Sequence, residues 1–143
     1  MTTKELELKA NEIRQAIIKM LVEAGSGHSA GPLGMADIFT ALYFEILNID
    51  PKRPDWPERD RLVLSCGHIC PVLYAALAHR GYFPVEELMT LRQFGTRLHG
   101  HPHNLALPGI ENSSGPLGQG LSQAIGMALA AKLDNKKWRT YAV

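Results

Sequence analysis

Three histidines occur at every second position just before a glycine-rich segment. His99, His101 and His103 lie within RLHGHPHN, and GPLGQG follows at residues 115–120. On extended backbone such side chains share one face, and zinc requires three or four ligands that converge on one point. A glycine and a proline interrupt this stretch, however, and no carboxylate lies between residues 88 and 110. We therefore favour contacts to a ligand without a metal, with exposed loop histidines as the alternative.

A second cluster, CGHIC, places Cys66, His68 and Cys70 in an alternating pattern. Structural zinc sites need four ligands, and no second pair completes this set. A disulfide between the two cysteines would close a very short loop and stabilise little, so we expect both to be small buried hydrophobic residues. His68 follows a glycine at the end of a predicted strand, where α/β proteins place binding residues.

His28 also lies in a glycine-containing turn, within GSGHSAGPLG at residues 25–34. A single loop histidine has no implied role. The turns around His28, His68 and residues 99–103 each lie beside a predicted buried helix, however, and three such turns predict a shared surface. His79 is different, because it lies at the end of a predicted helix and is expected to cap the last carbonyl groups.

The segment GPLGQG differs from the G-x-G-x-x-G dinucleotide fingerprint and follows a loop rather than a predicted strand. It offers bare backbone N–H groups at the start of a predicted helix, where a phosphate or a polar ring can approach closely. A flexible turn is the alternative interpretation of this segment alone.

The elements that would position these residues alternate between helices and short strands. Apolar periodicity and end signals predict helices over 4–24, about 35–47, 71–80, 84–94 and about 118–133, with strands over 61–65 and within KWRTYAV. The second helix lacks a polar face and is expected to be buried on several sides; the last carries many small residues that allow a close neighbour. Residues 25–34 and 95–115 are predicted to be loops. This order predicts an α/β fold with helices packed on an incomplete, mostly parallel sheet.

The charge balance excludes several classes of protein. Fifteen basic and fourteen acidic residues give a net charge of +1, and no basic run with interleaved aromatic residues occurs, so neither nucleic acid nor a membrane is an expected partner. The first ten residues, MTTKELELKA, lack the apolar core of a signal peptide, and no stretch approaches 18 apolar residues. The predicted location is therefore cytoplasmic.

Four blocks of sequence resemble, in order and spacing, the amino-terminal part of transketolase. They are AGSGHSAGPLGMADIFTALYF, RDRLVLSCGHICPVLYAAL, QFGTRLHGHPHN and PGIENSSGPLGQGLSQAIGMALA, and the resemblance extends over about residues 8–143. It implies that residues 1–143 form an incomplete portion of the diphosphate-binding domain. It also implies an enzyme of the pentose phosphate pathway that uses thiamine diphosphate and Mg²⁺ or Ca²⁺ to move a two-carbon ketol unit from a ketose phosphate to an aldose phosphate.

The resemblance gives three of the histidines a role. His28 matches a histidine that contacts substrate hydroxyls, and His101 matches a substrate-facing histidine that supports proton transfers. His68 matches a histidine near the cofactor diphosphate. His99 and His103 match no catalytic position, so the resemblance leaves them unassigned.

The resemblance also assigns part of the glycine-rich segment to the cofactor. Gly115, Pro116 and Leu117 match the segment that packs against the cofactor, with backbone groups meeting the aminopyrimidine. Cys66 is a departure, because many relatives carry Lys or Asn at this position, and its effect on substrate or anion contacts is open.

A second departure concerns the cation and the partner. In the family, a Gly-Asp-Gly motif directly follows the equivalent of YAV, so the chain is expected to be truncated before it and the cation ligands to lie outside these residues. The carboxylate that activates the aminopyrimidine comes from a pyrimidine-binding domain. The expected partner is therefore a carboxy-terminal transketolase half, in a homodimer or heterotetramer, and the isolated chain is expected to be inactive.

Two other readings of the sequence stay open. A non-catalytic transketolase-like protein could use the same surface for assembly or regulation; loss of the cation ligands favours it, and retention of the three matched histidines opposes it. A small zinc protein would use the histidine alternation together with CGHIC. The related synthase that makes deoxyxylulose phosphate is a weaker match to the quoted blocks.

Overall fold

The computed structural model describes the whole chain, residues 1–143. Its regular elements are α1 (Thr3–Ala24), α2 (Ala30–Gly34), α3 (Ala36–Ala41), β1 (Arg61–Val63), α4 (Cys70–Arg80), α5 (Gln119–Leu133) and β2 (Thr140–Ala142). A π-helical turn (Leu42–Ile46) extends α3, and 3₁₀ turns cover Gly67–Ile69 and Val85–Thr90. No helix combines the length and the apolar character that a membrane crossing requires.

The long helix α1 confirms the prediction made from its periodicity. Thr2 caps its start: the Glu5 N–H donates to the Thr2 hydroxyl at 3.3 Å, while the Thr2 N–H donates to the Glu5 carboxylate at 2.7 Å. Such reciprocal bonds satisfy two N–H groups that a helix leaves without partners. Gly25 ends the helix in the left-handed region with φ 60°, a conformation that glycine adopts without steric cost.

The structure corrects two predicted boundaries in the segment between α1 and β1. Residues 25–34 are not all loop, because α2 occupies the last five; its glycine and proline lie in a first turn whose N–H groups need no helical partner. The predicted helix 35–47 ends as a π turn in which the Leu47 N–H donates to the Leu42 carbonyl at 2.8 Å. Phe39, Leu42 and Tyr43 are buried, in agreement with the expected burial on several sides, whereas Ile38 and Ile46 are about half exposed.

The predicted helix 84–94 is shorter than expected and consists of 3₁₀ turns over Val85–Thr90. The Thr90 hydroxyl donates to the Glu87 carbonyl at 2.9 Å, a local bond that competes with helix propagation. The Arg92 N–H donates to the Leu98 carbonyl at 2.9 Å instead of continuing the helix. Residues 95–115 then contain no helix or strand, which confirms the predicted loop.

The sheet confirms the predicted α/β class and its parallel, incomplete character. β1 and β2 pair in parallel, with Arg61 opposite Thr140 and Val63 opposite Ala142. On the helical side, α1, α3 and α4 enclose the main core. Its largest fully buried side chains include Tyr74, Phe39, Ile13, Ile17 and Met20. β1 therefore ends between this core and α5, and the residues after it are held on both sides.

Candidate functional site

Two of the predicted site histidines meet just after β1. His68 lies in the 3₁₀ turn Gly67–Ile69, and the ring centroid of His28 lies 4.8 Å from that of His68, with the planes tilted by 54°. His68 is half-buried, whereas His28, in the turn before α2, is exposed. The carboxyl ends of parallel strands are where α/β proteins bind ligands, and this pair lies there.

Gly67 brings the third histidine to the same place. A Cβ added to Gly67 would lie 2.9 Å from Cδ2 of His101 and 2.7 Å from the carbonyl oxygen of Ser114. No larger residue fits without moving backbone, so the His101 loop packs directly on the turn that carries His68. The structure thus brings together His28, His68 and His101, which the sequence places in three separate turns.

The other two histidines of the alternation do not join this cluster. The rings of His99 and His103 face each other edge-on with centroids 6.0 Å apart, and both residues are exposed. His103 accepts a hydrogen bond from the Leu105 N–H through Nδ1 at 3.3 Å, which supports its own loop. His99 contributes its backbone carbonyl, which accepts from the Tyr74 hydroxyl at 2.8 Å. No group of three or more His, Cys, Asp or Glu side chains is arranged to hold a metal ion.

The glycine-rich segment lies at the start of α5, as predicted, and is fixed to the strand end. The Gly118 N–H donates to the Ser65 carbonyl at 3.1 Å, and the Leu121 N–H donates to the Ser65 hydroxyl at 3.2 Å. A Cβ at Gly120 would lie 2.6 Å from Cα of Ser65. The Ser65 hydroxyl therefore caps the start of α5, although Ser65 is not part of the helix. Residue 120 must be glycine for Ser65 to lie this close.

The predicted cofactor segment itself is open to solvent. Pro116 and Leu117 are exposed and Gly115 is half-buried. Leu117 shows 68% of its surface, although it is a large apolar residue. These three residues come directly before the Gly118 contact with Ser65, so their backbone is anchored while one side is left free for a ligand.

The two cysteines differ, which corrects the expectation that both are buried hydrophobic residues. Cys70 is buried, and burial raises the pKa of its thiol to about 12. Cys66 is half-buried, and its Sγ lies 3.3 Å from Nδ1 of His68 and 3.4 Å from Nε2. Both thiols are free. Cys66, the residue that differs from many relatives, therefore contacts the ring of His68 directly.

Two functional candidates were missed by the sequence. Arg92 lines a cleft with His28 and His68, and also an open polar groove with His101. Its backbone has φ 61°, a strained conformation for a non-glycine residue. Asn112 is buried and bonds to Leu64 through its side chain. An arginine in a loop and an asparagine before two serines carry no local signal, because their partners are distant in sequence.

His79 lies away from this site, and its predicted capping role is wrong. Its Nδ1 is 4.0 Å from the Glu12 carboxylate, and its Nε2 is buried without a hydrogen-bond partner. Burial lowers the pKa of His79, nearby Lys9 lowers it further, and Glu12 opposes them. The ring turns toward α1 because the last turn of α4 packs there, so it does not reach the carbonyl groups.

The fold and the three converging turns define an α/β protein whose candidate site lies at the carboxyl end of a parallel strand. The family described as "Transketolase, thiamine diphosphate binding domain" matches residues 6–141. The chain therefore belongs to this family.

Curated relatives add detail. The chain is 47% identical over 139 residues to the 6-deoxy-6-sulfo-D-fructose transketolase subunit SqwG of Clostridium sp. (strain MSTE9). It is 40% identical over 143 residues to one of the subunits of apulose-4-phosphate transketolase from Phocaeicola vulgatus. These matches cover 97% and 100% of the chain and 50% of each relative. The chain thus spans about half the length of these relatives.

Solved structures agree with this assignment. The chain matches transketolase from Campylobacter jejuni with a TM-score of 0.91 and 37% identity, over 99% of this chain and 23% of that one. Transketolase from Leishmania mexicana matches with a TM-score of 0.89 and 37% identity, over 96% and 22% respectively. The partial α/β fold is therefore that of transketolases.

Proposed function

We propose that this chain is the thiamine diphosphate-binding part of a transketolase that transfers a two-carbon ketol unit between sugars. The observation that carries the proposal is the meeting of the His28, His68 and His101 turns at the end of β1, beside Gly115–Leu117. Membership of the family indicates thiamine diphosphate chemistry, and the geometry of the three histidines indicates the candidate role of each.

The residues present fit the cofactor. Thiamine diphosphate, when bound, stabilises the carbanion of the transferred unit. The half-buried imidazole of His68 can donate a hydrogen bond to a diphosphate oxygen, and the anchored, open backbone of Gly115–Leu117 can meet the aminopyrimidine. We propose that the ligands of Mg²⁺ or Ca²⁺ lie outside these residues, as the resemblance to transketolase implies.

His28 and His101 are proposed to act on the sugar. Both imidazoles are exposed beside the His68 turn, where they can hydrogen-bond hydroxyl groups and transfer protons to and from them. The guanidinium of Arg92 lines the same cleft and provides a positive charge. The two relatives described above are named for a sulfonated ketose and a ketose phosphate. An anionic ketose is therefore the proposed substrate class, and a sugar phosphate of the pentose phosphate pathway is one such substrate.

A complementary transketolase half is the proposed partner. The two half-covered relatives are named as subunits, which supports a divided enzyme. In addition, α5 exposes Leu121, Ile125, Leu129 and Leu133, four apolar residues at intervals of four. This spacing forms one apolar stripe on a helix, a surface suited to a partner. The proposed assembly is a homodimer of completed enzymes or a heterotetramer in the cytoplasm.

The test is to titrate thiamine diphosphate with Mg²⁺ into this chain by calorimetry, alone and with the whole carboxy-terminal remainder of a transketolase added, and to measure ketol transfer. We expect binding and turnover only in the completed protein. Turnover by the purified chain alone would contradict the need for a partner. Absence of binding and turnover in both samples would instead favour the non-catalytic assembly protein.

His101 is tested by substitution in the completed enzyme. We expect His101→Ala to lower kcat by about a hundredfold while the affinity for thiamine diphosphate changes little, because general acid–base catalysis contributes that much. His103→Ala is the matched control, since His103 is an exposed histidine of the same loop outside the cluster. Equal effects of the two substitutions would remove His101 from the mechanism.

A further inference from the structure

Directly after β1, a side chain makes the backbone hydrogen bonds that a neighbouring strand would otherwise make. β2 takes the backbone groups of alternate residues: the Arg61 N–H donates to the Arg139 carbonyl at 2.8 Å, and the Val63 carbonyl accepts from the Val143 N–H at 3.0 Å. Along a strand, successive residues direct their backbone groups to opposite edges. Those of Leu64 therefore face away from β2, where no third strand lies.

Asn112 fills this position. Its Oδ1 accepts from the Leu64 N–H at 3.0 Å, and its Nδ2 donates to the Leu64 carbonyl at 3.1 Å. A neighbouring strand would make the same pair of bonds to one residue. Both residues are buried, with exposures of 6% for Asn112 and 1% for Leu64. A side-chain amide carries the required donor and acceptor together, whereas a carboxylate or an apolar side chain lacks one or both.

This contact ties together two segments of the candidate site. Leu64 lies four residues before His68, and Asn112 lies three residues before Gly115. At the next residue, the Ser65 carbonyl accepts from the Gly118 N–H at 3.1 Å. Residues 113–117 are thus fixed at both ends to Leu64 and Ser65, the two residues that directly follow β1.

The segment between the two anchors touches the site. The Ser114 carbonyl packs on Gly67, next to His68, and the Ser114 N–H donates to the Pro102 carbonyl at 3.1 Å, beside His101. Moving either anchor would therefore shift Gly115–Leu117 relative to both histidines. The Ser65 anchor uses backbone atoms and a hydroxyl, whereas the first anchor depends wholly on the Asn112 side chain.

We propose that Asn112 is a positioning residue, whose side-chain amide substitutes for a missing strand beside Leu64. It fixes residues 113–117, which include the proposed cofactor segment, against the residues that join β1 to the His68 turn. Asn112 touches neither substrate nor cofactor in this role and acts through the backbone of Leu64. The consequence for cofactor affinity rests on the proposed function, whereas the mechanical role of the amide does not.

The first experiment measures hydrogen exchange of backbone amides in the full chain. Asn112→Ala should speed exchange at Leu64 and over residues 113–118 by about tenfold, because a buried N–H and C=O lose their partners. Two controls separate this from general weakening. Asn104→Ala removes an exposed asparagine of the same loop, whose side-chain amide accepts a hydrogen bond from the Ser113 hydroxyl, and Ile13→Val loosens the distant core. Exchange over 113–118 equal to that of Ile13→Val would overturn the proposal.

The second experiment measures thiamine diphosphate affinity in the chain completed by the whole carboxy-terminal remainder of a transketolase. We expect Asn112→Ala to weaken binding about tenfold while kcat at saturating cofactor is retained, and both controls to bind normally. Normal binding by Asn112→Ala would overturn the positioning role. If the unsubstituted protein does not bind the cofactor, the proposed function fails, and the exchange measurement still decides the role of Asn112.

Asn112→Asp keeps the test decisive if the alanine variant does not fold. The carboxylate can accept from the Leu64 N–H, but it repels the Leu64 carbonyl. Protonation of the new carboxyl at low pH restores a donor, so exchange over 113–118 should slow toward that of the unsubstituted chain as the pH is lowered, after correction for intrinsic exchange. A difference from the unsubstituted chain that does not change with pH would contradict the need for a donor at this position.

Discussion

Helices α4 and α5 are both rich in apolar residues, yet their environments are opposite. In α4, nine of eleven residues are buried, from Cys70 to Ala78. In α5, only Gly120, Ala124 and Ala131 are buried out of fifteen residues. α4 is enclosed by α1, α3 and the 3₁₀ turn after it, whereas α5 rests on the two strands through its small residues. Apolar composition therefore does not distinguish a core helix from a helix with an open apolar face.

The difference indicates which apolar residues this chain uses for itself. Every large apolar side chain of α4 is buried in the core, so its apolar residues need no further neighbour. The stripe Leu121, Ile125, Leu129 and Leu133 leaves more than half of each side chain exposed. Solvated surfaces rarely keep such a row, and we infer that α5 serves an interface while α4 serves stability.

The largest expected effect is a difference in unfolding free energy between matched substitutions in α4 and α5. Leu77→Ala in α4 is expected to cost about 2–5 kcal/mol of unfolding free energy, because Leu77 is fully buried and its removal leaves a cavity. The same substitution in α5, Leu129→Ala, should cost no more than about 0.5 kcal/mol, because Leu129 is 56% exposed. Urea denaturation of the chain measures both. Equal losses would show that α5 is as buried as α4.

The next largest expected effect is on the association of α5 with a partner. Ile125→Asp places a charge in the middle of the α5 stripe and is expected to weaken association with the complementary half by about thirtyfold, because an interface centre does not tolerate an unpaired charge. Gln123→Asp is the control, since Gln123 is exposed on another side of the same helix. Sedimentation of the mixed subunits measures the difference. Unchanged association of Ile125→Asp would place the interface elsewhere.

Two glycines within α5 sharpen the comparison further. Gly120→Ala should destabilise the chain by about 1–2 kcal/mol, because the new Cβ would lie 2.6 Å from Cα of Ser65. Gly126→Ala should stabilise it by up to about 1 kcal/mol, because no atom lies within 4 Å of the new Cβ and alanine favours a helix. Thermal unfolding of the two variants checks the opposite signs. A stabilising Gly120→Ala would mean that Ser65 does not approach the helix closely.

Elements with local signals could be predicted from the sequence. The ends of α1 and α4 follow from periodicity and from Gly25 and Gly81, both in the left-handed region, and the loop over residues 95–115 follows from its lack of period. The π turn after α3 and the short α2 could not be predicted, because both depend on how the segment packs rather than on its pattern.

The candidate site was predicted in part. The resemblance named His28, His68 and His101, and the structure places them around one strand end, although their roles stay proposals. Asn112 was missed because its partner Leu64 is 48 residues away. The contact of Cys66 with His68 was missed because a half-buried thiol and a buried one have the same local sequence signature. Such long-range and exposure-dependent contacts arise only once the chain is folded.

The smallest predicted effect concerns His79, at the end of α4. Because burial lowers its pKa below the ordinary value of 6.5, the unfolded chain binds the proton more readily than the folded chain. The contribution of His79 to stability is therefore complete above pH 6.5 and is lost as the pH falls through the lowered pKa. We expect His79→Gln to reduce the fall in Tm between pH 7.5 and 5.5, by no more than about 4 °C. Lys9 and Glu12 act on the imidazole in opposite directions. Glu12→Gln should therefore enlarge the fall, and an unchanged pH dependence in both variants would show that His79 is not held neutral by its burial against α1.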